Sequence, residues 1–201
     1  MRIWVVPHTH WDREWYLPFQ HFRLRLVRTV DEIVEVLESD PAFRKFTLDG
    51  QASVIDDYLS LNPSGASRLA TLIKDGRISI GPWYTQPDEF LVGQESLVRN
   101  LLVGKATCAP FGPPMSVGYV PDIFGHVAQL PQVLRGFGID NCMFWRGLGP
   151  EADELGVLFR WRAPDGSEVM AIRLLQGYGN AVQLGVEGGR APDVDRALAR
   201  I

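Results

Sequence analysis

From Phe22 to Leu37 the apolar residues Leu26, Val27, Val30, Ile33, Val34 and Leu37 recur at steps of three and four, and Pro41 follows as a stop. This spacing predicts one amphipathic helix. Further helical patterns run over roughly 51–61 and 66–75, the latter ended by Gly76, then from Glu95 to about Lys105, and over about 129–136 with Pro131 in the first turn. Between them lie short apolar, β-branched runs. "IWVV" at 3–6, closed by Pro7, predicts a buried strand, and "KFTLDG", "RISIG", "MSVGYV" and "NCMFW" predict four more. "LFRWRAPDGSEVMAIRLL", from 158, has two strand-like halves around a Pro-Asp-Gly turn and reads as a hairpin. "QGYGNAVQLGVEGG" then reads as an exposed loop, and "PDVDRALARI" as the start of a helix without a C-cap.

Strand and helix alternate about every 30–40 residues, which predicts βαβ units and a mainly parallel sheet or barrel. In such folds the functional face lies beyond the carboxyl ends of the strands. Here those ends deliver His10 with Asp12, then Asp49, Asp88 with Glu89, Asp122 and Arg146.

Composition narrows the picture. With 201 residues, 46% of them hydrophobic, the chain suits one domain or part of one, and its unfinished last helix predicts more protein beyond Ile201. Twenty basic against 24 acidic residues, with no basic block, argue against a nucleic-acid partner. No stretch has the apolar length of a signal peptide or a membrane span, so the expectation is a cytoplasmic protein without membrane attachment. Cys108 and Cys142 form no CxxC pattern and read as reduced, buried thiols.

The densest chemistry is "PHTHWDREWY" at 7–16. On an extended chain His8, His10 and Asp12 project from one side, as ligands of a divalent metal or as ordinary hydrogen-bonded side chains. Asp122, in "VPDIFGH", is a metal ligand, a nucleophile or base, or a helix N-cap. His126 reads as another ligand or as a solvent-facing residue near a helix start, the latter favoured, and His21 as structural or exposed. Trp11, Trp15, Tyr16, Trp83, Tyr84, Phe124 and Trp145 crowd the same face, either to stack on sugar rings or to fill the core, the reading favoured for Trp145 and Tyr84. Arg146 balances the carboxylates or sits in a surface ion pair.

Five ordered blocks, "PHTHWDREWY", "FTLDGQ", "GPWYTQPDEFLVGQESLVRNLLVG", "GYVPDIFGHVAQLPQVL" and "FWRG", together resemble glycoside hydrolase family 38, the metal-dependent retaining α-mannosidases, and especially its bacterial mannosylglycerate hydrolase-like members. The resemblance implies a seven-stranded (β/α) barrel of the glycoside hydrolase/deacetylase type, with residues 1–201 an incomplete N-terminal catalytic domain. It implies an α-mannoside or mannose-containing glycan as substrate. Zn²⁺ is the implied metal, with Co²⁺, Mn²⁺ or Ca²⁺ as alternatives, bound by His10, Asp12 and Asp122. Asp122 would also be the nucleophile, Trp15, Phe124 and Arg146 would meet the sugar or the nucleophile, and His8, Asp49 and Asp88 would stand behind them. The general acid and a last metal-binding histidine are expected beyond Ile201, leaving the 201-residue piece inactive alone. A homo-oligomer is compatible with all of this. The competing readings are a metal-dependent polysaccharide deacetylase, whose usual His-x-x-x-His pair does not occur here, and a non-catalytic carbohydrate-binding domain.

Overall fold

The computed structural model describes residues 4–180. The anticipated helix start at 192–201 and most of the loop at 176–189 lie outside them. Strand β1 (His8–Thr9) leads to helix α1 (Phe19–Ser39), β2 (Phe46–Leu48), α2 (Ser53–Leu61), a 3₁₀ turn at Pro63–Gly65, α3 (Ala66–Lys74) and β3 (Ile78–Ser79). The second half runs α4 (Gln94–Cys108), β4 (Gly118–Tyr119), α5 (Leu130–Gly136), β5 (Asn141–Phe144), α6 (Ala152–Leu155), β6 (Leu158–Arg162) and β7 (Glu168–Arg173).

Local sequence explains the helices. In α1 the residues Phe22, Leu26, Val30, Val34 and Leu37 are buried, on the face the spacing marks. Each contributes about 1.5–3 kcal/mol of gross apolar burial. Leu26, Val30, Val34 and Leu37 pack with Leu48, Ile55, Tyr58, Leu69 and Ile78 into one core, whereas Trp83, Leu97, Leu101, Leu130, Leu134 and Phe144 anchor a second.

The strands form two sheets, ordered β1-β2-β3 and β4-β5-β7-β6. Every pairing is parallel except the β6–β7 hairpin, where Leu158 faces Ile172 and Arg162 faces Glu168. The anticipated closed barrel is not present among the described residues. β3 and β4 are each two residues long, and the sheets meet through a backbone bond from Met115 N to Ile80 O, 2.9 Å. β1 borders only β2.

"IWVV" is a second departure. Residues 4–6 are not in a strand, and Val5 and Val6 are exposed. The reason is register: His8 pairs with Thr47 and β2 begins at Phe46, so among the described residues β2 does not extend beside residues 4–6. α6 has no counterpart in the apolar pattern, being a single acidic turn without buried residues.

Candidate active site

The loops after the parallel strands bring polar side chains together around His10 and Asp122. Asp49 follows β2 with φ of 26° and no exposed surface. Its carboxylate accepts hydrogen bonds from Trp11 N (2.7 Å), Gln51 Nε2 (2.6 Å), Gln86 Nε2 (3.2 Å) and His10 Nδ1 (3.1 Å). Gln51 Nε2 also donates to Trp11 O, and Gln86 N donates to Gln51 Oε1. This buried amide cluster locks the loops after β1, β2 and β3 together.

The bond to Asp49 has a chemical consequence. With Nδ1 donating, a neutral His10 presents a lone pair at Nε2. That nitrogen stands 3.6 Å from Asp12 Oδ1 and 3.5 Å from Asp122 Oδ2. Three electron-rich atoms turned toward one another require a proton or a cation between them. Burial pulls the His10 pKa down, but the bond to Asp49 and the charges of Asp49, Asp12 and Asp122 outweigh it, and the net direction is up. Two donors each about 2.1 Å from one ion at a tetrahedral angle lie about 3.4 Å apart, so both spacings fit a shared divalent cation. Among the described residues no group of three or more His, Cys, Asp or Glu side chains is arranged to hold a metal ion.

Asp122 is held from two more directions. Arg146 Nη2 lies 2.5 Å from Oδ1, and the Tyr178 hydroxyl donates to Oδ2 at 3.3 Å. Burial first, then the charge of Asp122, pushes the Tyr178 pKa up to about 12, keeping the phenol protonated as a donor. The Arg146 guanidinium lies over the Phe124 ring, 4.1 Å from its centroid. Trp15 and Phe124 are 75% and 70% exposed, leaving two large aromatic faces open beside the acidic centre. A cleft of about 400 Å³ opens there, lined by His10, Asp12, Trp15 and Tyr16 on one side and Arg25 and Arg28 of α1 on the other.

The structure thus gathers His10, Asp12, Asp49, Asp122, Phe124 and Arg146 at one place. His8 approaches indirectly, Nε2 donating to the Tyr178 carbonyl at 2.7 Å. Asp88 contributes only its backbone, the carbonyl accepting from Leu91 and Val92. Glu89 is the buried carboxylate of that pair. The expectation of a solvent-facing His126 is corrected: its side chain is 2% exposed, because Glu89 and the Arg146 carbonyl take both ring nitrogens. Residues 176–180 are likewise not simply an exposed loop, since Tyr178 lies against the His10 ring, centroids 4.7 Å apart. Trp83 is fully buried and Tyr84 packs partly buried on the first core.

Sequence reading missed Tyr178, Gln51 and Gln86, and also Arg13. The Arg13 guanidinium grips Asp57 of α2 through two bonds of 2.7 and 2.9 Å, fixing the segment between Asp12 and α1. No local signal marks that pair; its partners are 44 positions apart.

An imidazole and carboxylates converging at the ends of parallel strands, beside open aromatic rings and a guanidinium, define an α/β domain with an acidic centre. Residues 1–192 match the family description "Glycosyl hydrolases family 38 N-terminal domain". The chain belongs to glycoside hydrolase family 38. It is 40% identical over 191 residues to a "Putative mannosylglycerate hydrolase" of Halalkalibacterium halodurans, covering 90% of this chain and 21% of that protein. It is 30% identical over 175 residues to "Alpha-mannosidase G" of Dictyostelium discoideum, covering 84% of this chain and 16% of that one. The crystal structure of an alpha-mannosidase from Enterococcus faecalis V583 superposes with a TM-score of 0.87 at 35% identity, over 96% of this chain and 22% of that one. The chain therefore spans about a fifth or less of the length of the curated relatives it matches. Among the described residues no helix is long and apolar enough to cross a membrane.

Proposed function

We propose that the protein carrying this domain hydrolyses α-mannosidic bonds with retention of configuration, Asp122 acting as the nucleophile. The observation that carries the reading is the setting of Asp122: at a strand end, gripped by Arg146 and Tyr178, facing His10 Nε2, in a chain of this family. The names of its relatives, mannosylglycerate hydrolase and alpha-mannosidases, supply the sugar.

Retention requires two displacements. The Asp122 carboxylate attacks the anomeric carbon and forms a glycosyl ester as the aglycone oxygen departs, and water then attacks that carbon from the face the aglycone left, opposite the ester, so that two inversions give retention. Arg146 and the Tyr178 hydroxyl fix the plane of the attacking carboxylate. Trp15 and Phe124 offer apolar faces to the sugar's C–H surfaces. His10, Asp12 and Asp122 would hold a divalent cation, Zn²⁺ by the donor set, which when bound can engage sugar hydroxyls and help the ring distort. Asp49 orients His10 for that role through Nδ1.

The second carboxylic acid, which protonates the leaving oxygen about 5 Å away, comes in this reading from outside the described residues, as does a further metal donor. Two tests follow. The 201-residue chain alone, supplied with Zn²⁺ and an aryl α-mannoside, shows no measurable turnover, whereas the full-length protein does; robust turnover by the short chain would refute the missing-acid argument. In the full-length protein His10→Ala weakens Zn²⁺ retention more than about 100-fold, and His8→Ala, whose ring reaches the site only through Tyr178, weakens it about 10-fold or less. Metal analysis after dialysis reads both, and the reverse ranking overturns the assignment of His10.

A further inference from the structure

Behind Arg146 lies a buried pair that the reaction as described does not use. His126 Nδ1 is 2.8 Å from Glu89 Oε1, and its Nε2 is 2.9 Å from the Arg146 carbonyl oxygen. The second Glu89 oxygen accepts from Val127 N at 2.8 Å. The side chains are 2% and 0% exposed, and the imidazole is walled by Phe144 and Trp161. Gly147 completes the fit: a Cβ there would stand 2.8 Å from the His126 ring, so only glycine, here with φ of 102°, lets the chain after Arg146 press against the imidazole.

Both ring nitrogens face oxygen acceptors. A carbonyl cannot donate, so Nε2 carries a proton and gives it to Arg146, and Glu89 settles Nδ1 on the opposite side. The pair therefore couples the loops after β3, β4 and β5 at the residue whose guanidinium meets Asp122. Burial of two ionisable side chains is costly unless they are matched, and here every polar atom of the pair has its partner.

We propose that Glu89 and His126 are positioning residues for the hydrolysis: the Glu89–His126–Arg146 carbonyl chain holds the Arg146 backbone so that its guanidinium stays on Asp122. The inference rests on the mannosidase reading. Because misplacing a catalytic contact by about 1 Å can cost about 100-fold, the effect falls on turnover, with sugar contacts made by other groups left in place.

The test uses the full-length, metal-loaded enzyme and an aryl α-mannoside. His126→Phe keeps the ring between Phe144 and Trp161 but removes both bonds, and it lowers kcat about 30- to 100-fold with KM changed less than about threefold. Glu89→Ala behaves likewise. Glu89→Gln restores most of the loss, because its carbonyl can accept from Val127 N while its amide donates to Nδ1, leaving the Nε2 proton for Arg146. Adding His126→Phe to Arg146→Ala costs less than about threefold more, since the pair acts through Arg146. Should His126→Phe fail to accumulate as folded protein, the comparison of Glu89→Gln with Glu89→Ala decides. Unchanged kcat in His126→Phe, equal losses in the two Glu89 variants, or full additivity with Arg146→Ala overturns the proposal. A wild-type enzyme without α-mannosidase turnover instead overturns the function reading, and this inference with it.

Discussion

Asp122→Asn in the full-length protein lowers hydrolysis of an aryl α-mannoside by about 10⁴-fold or more, equivalent to about 5.5 kcal/mol of lost transition-state stabilisation. The substitution is nearly isosteric, so the loss reports chemistry more than packing. A neutral amide is a poor nucleophile toward the anomeric carbon, and it gives up the charge that Arg146 faces at 2.5 Å. It also removes one of the two carboxylates turned toward His10 Nε2, so Zn²⁺ retention falls alongside turnover. Asp122→Ala tested with added azide separates these roles. If Asp122 is the nucleophile, azide takes its place and yields a glycosyl azide of inverted configuration. Retention of a tenth or more of wild-type turnover in Asp122→Asn, about a 10-fold loss at most, would sink the nucleophile assignment.

The second large effect is on stability. Gly104→Ala destabilises the domain by about 3 kcal/mol, at the upper end of overpacking penalties. Gly104 is buried in α4, and a Cβ there would stand 2.5 Å from Tyr84 N and closer still to the Pro82 carbonyl oxygen and the Trp83 carbonyl carbon. These are backbone atoms, which cannot turn aside. The same approach is cemented by Asn100, one turn earlier, whose side chain accepts from Tyr84 N and Thr85 N at 2.8 and 3.1 Å and donates to Thr85 O at 2.7 Å. To admit a methyl group the helix has to withdraw from the loop that carries Gln86 and Glu89 into the site. The expected readout is a lower urea midpoint and reduced soluble yield, with the loss of activity tracking the loss of folded protein. A midpoint equal to that of wild type would show that α4 shifts without cost.

The helices other than α6 were readable because their signal is local. In α1 the three- and four-residue rhythm from Phe22 to Leu37 names the buried face, and Pro18 and Pro41 bracket the element. Strand positions were readable only approximately. β2, β3, β4 and β5 fall inside "KFTLDG", "RISIG", "MSVGYV" and "NCMFW", yet residues 4–6 of "IWVV" are outside any strand. A strand exists only where another chain segment offers hydrogen bonds, and β2 starts opposite Pro7. Apolar content could not reveal where that neighbour begins.

By itself the sequence determined the helical faces, the alternation of helix and strand, and the set of polar residues delivered at strand ends. Residue type and chain spacing carry those properties. Only the tertiary structure decided which polar groups meet. Asp49 reaches His10 across 39 positions, Glu89 reaches His126 across 37, and Tyr178 reaches Asp122 across 56. Such contacts depend on how parallel strands align and loops cross above them, so the same His126 that looks solvent-facing in its own segment is enclosed by three others. The physical reason is that a hydrogen bond's partner is chosen by distance in space, which local periodicity does not encode.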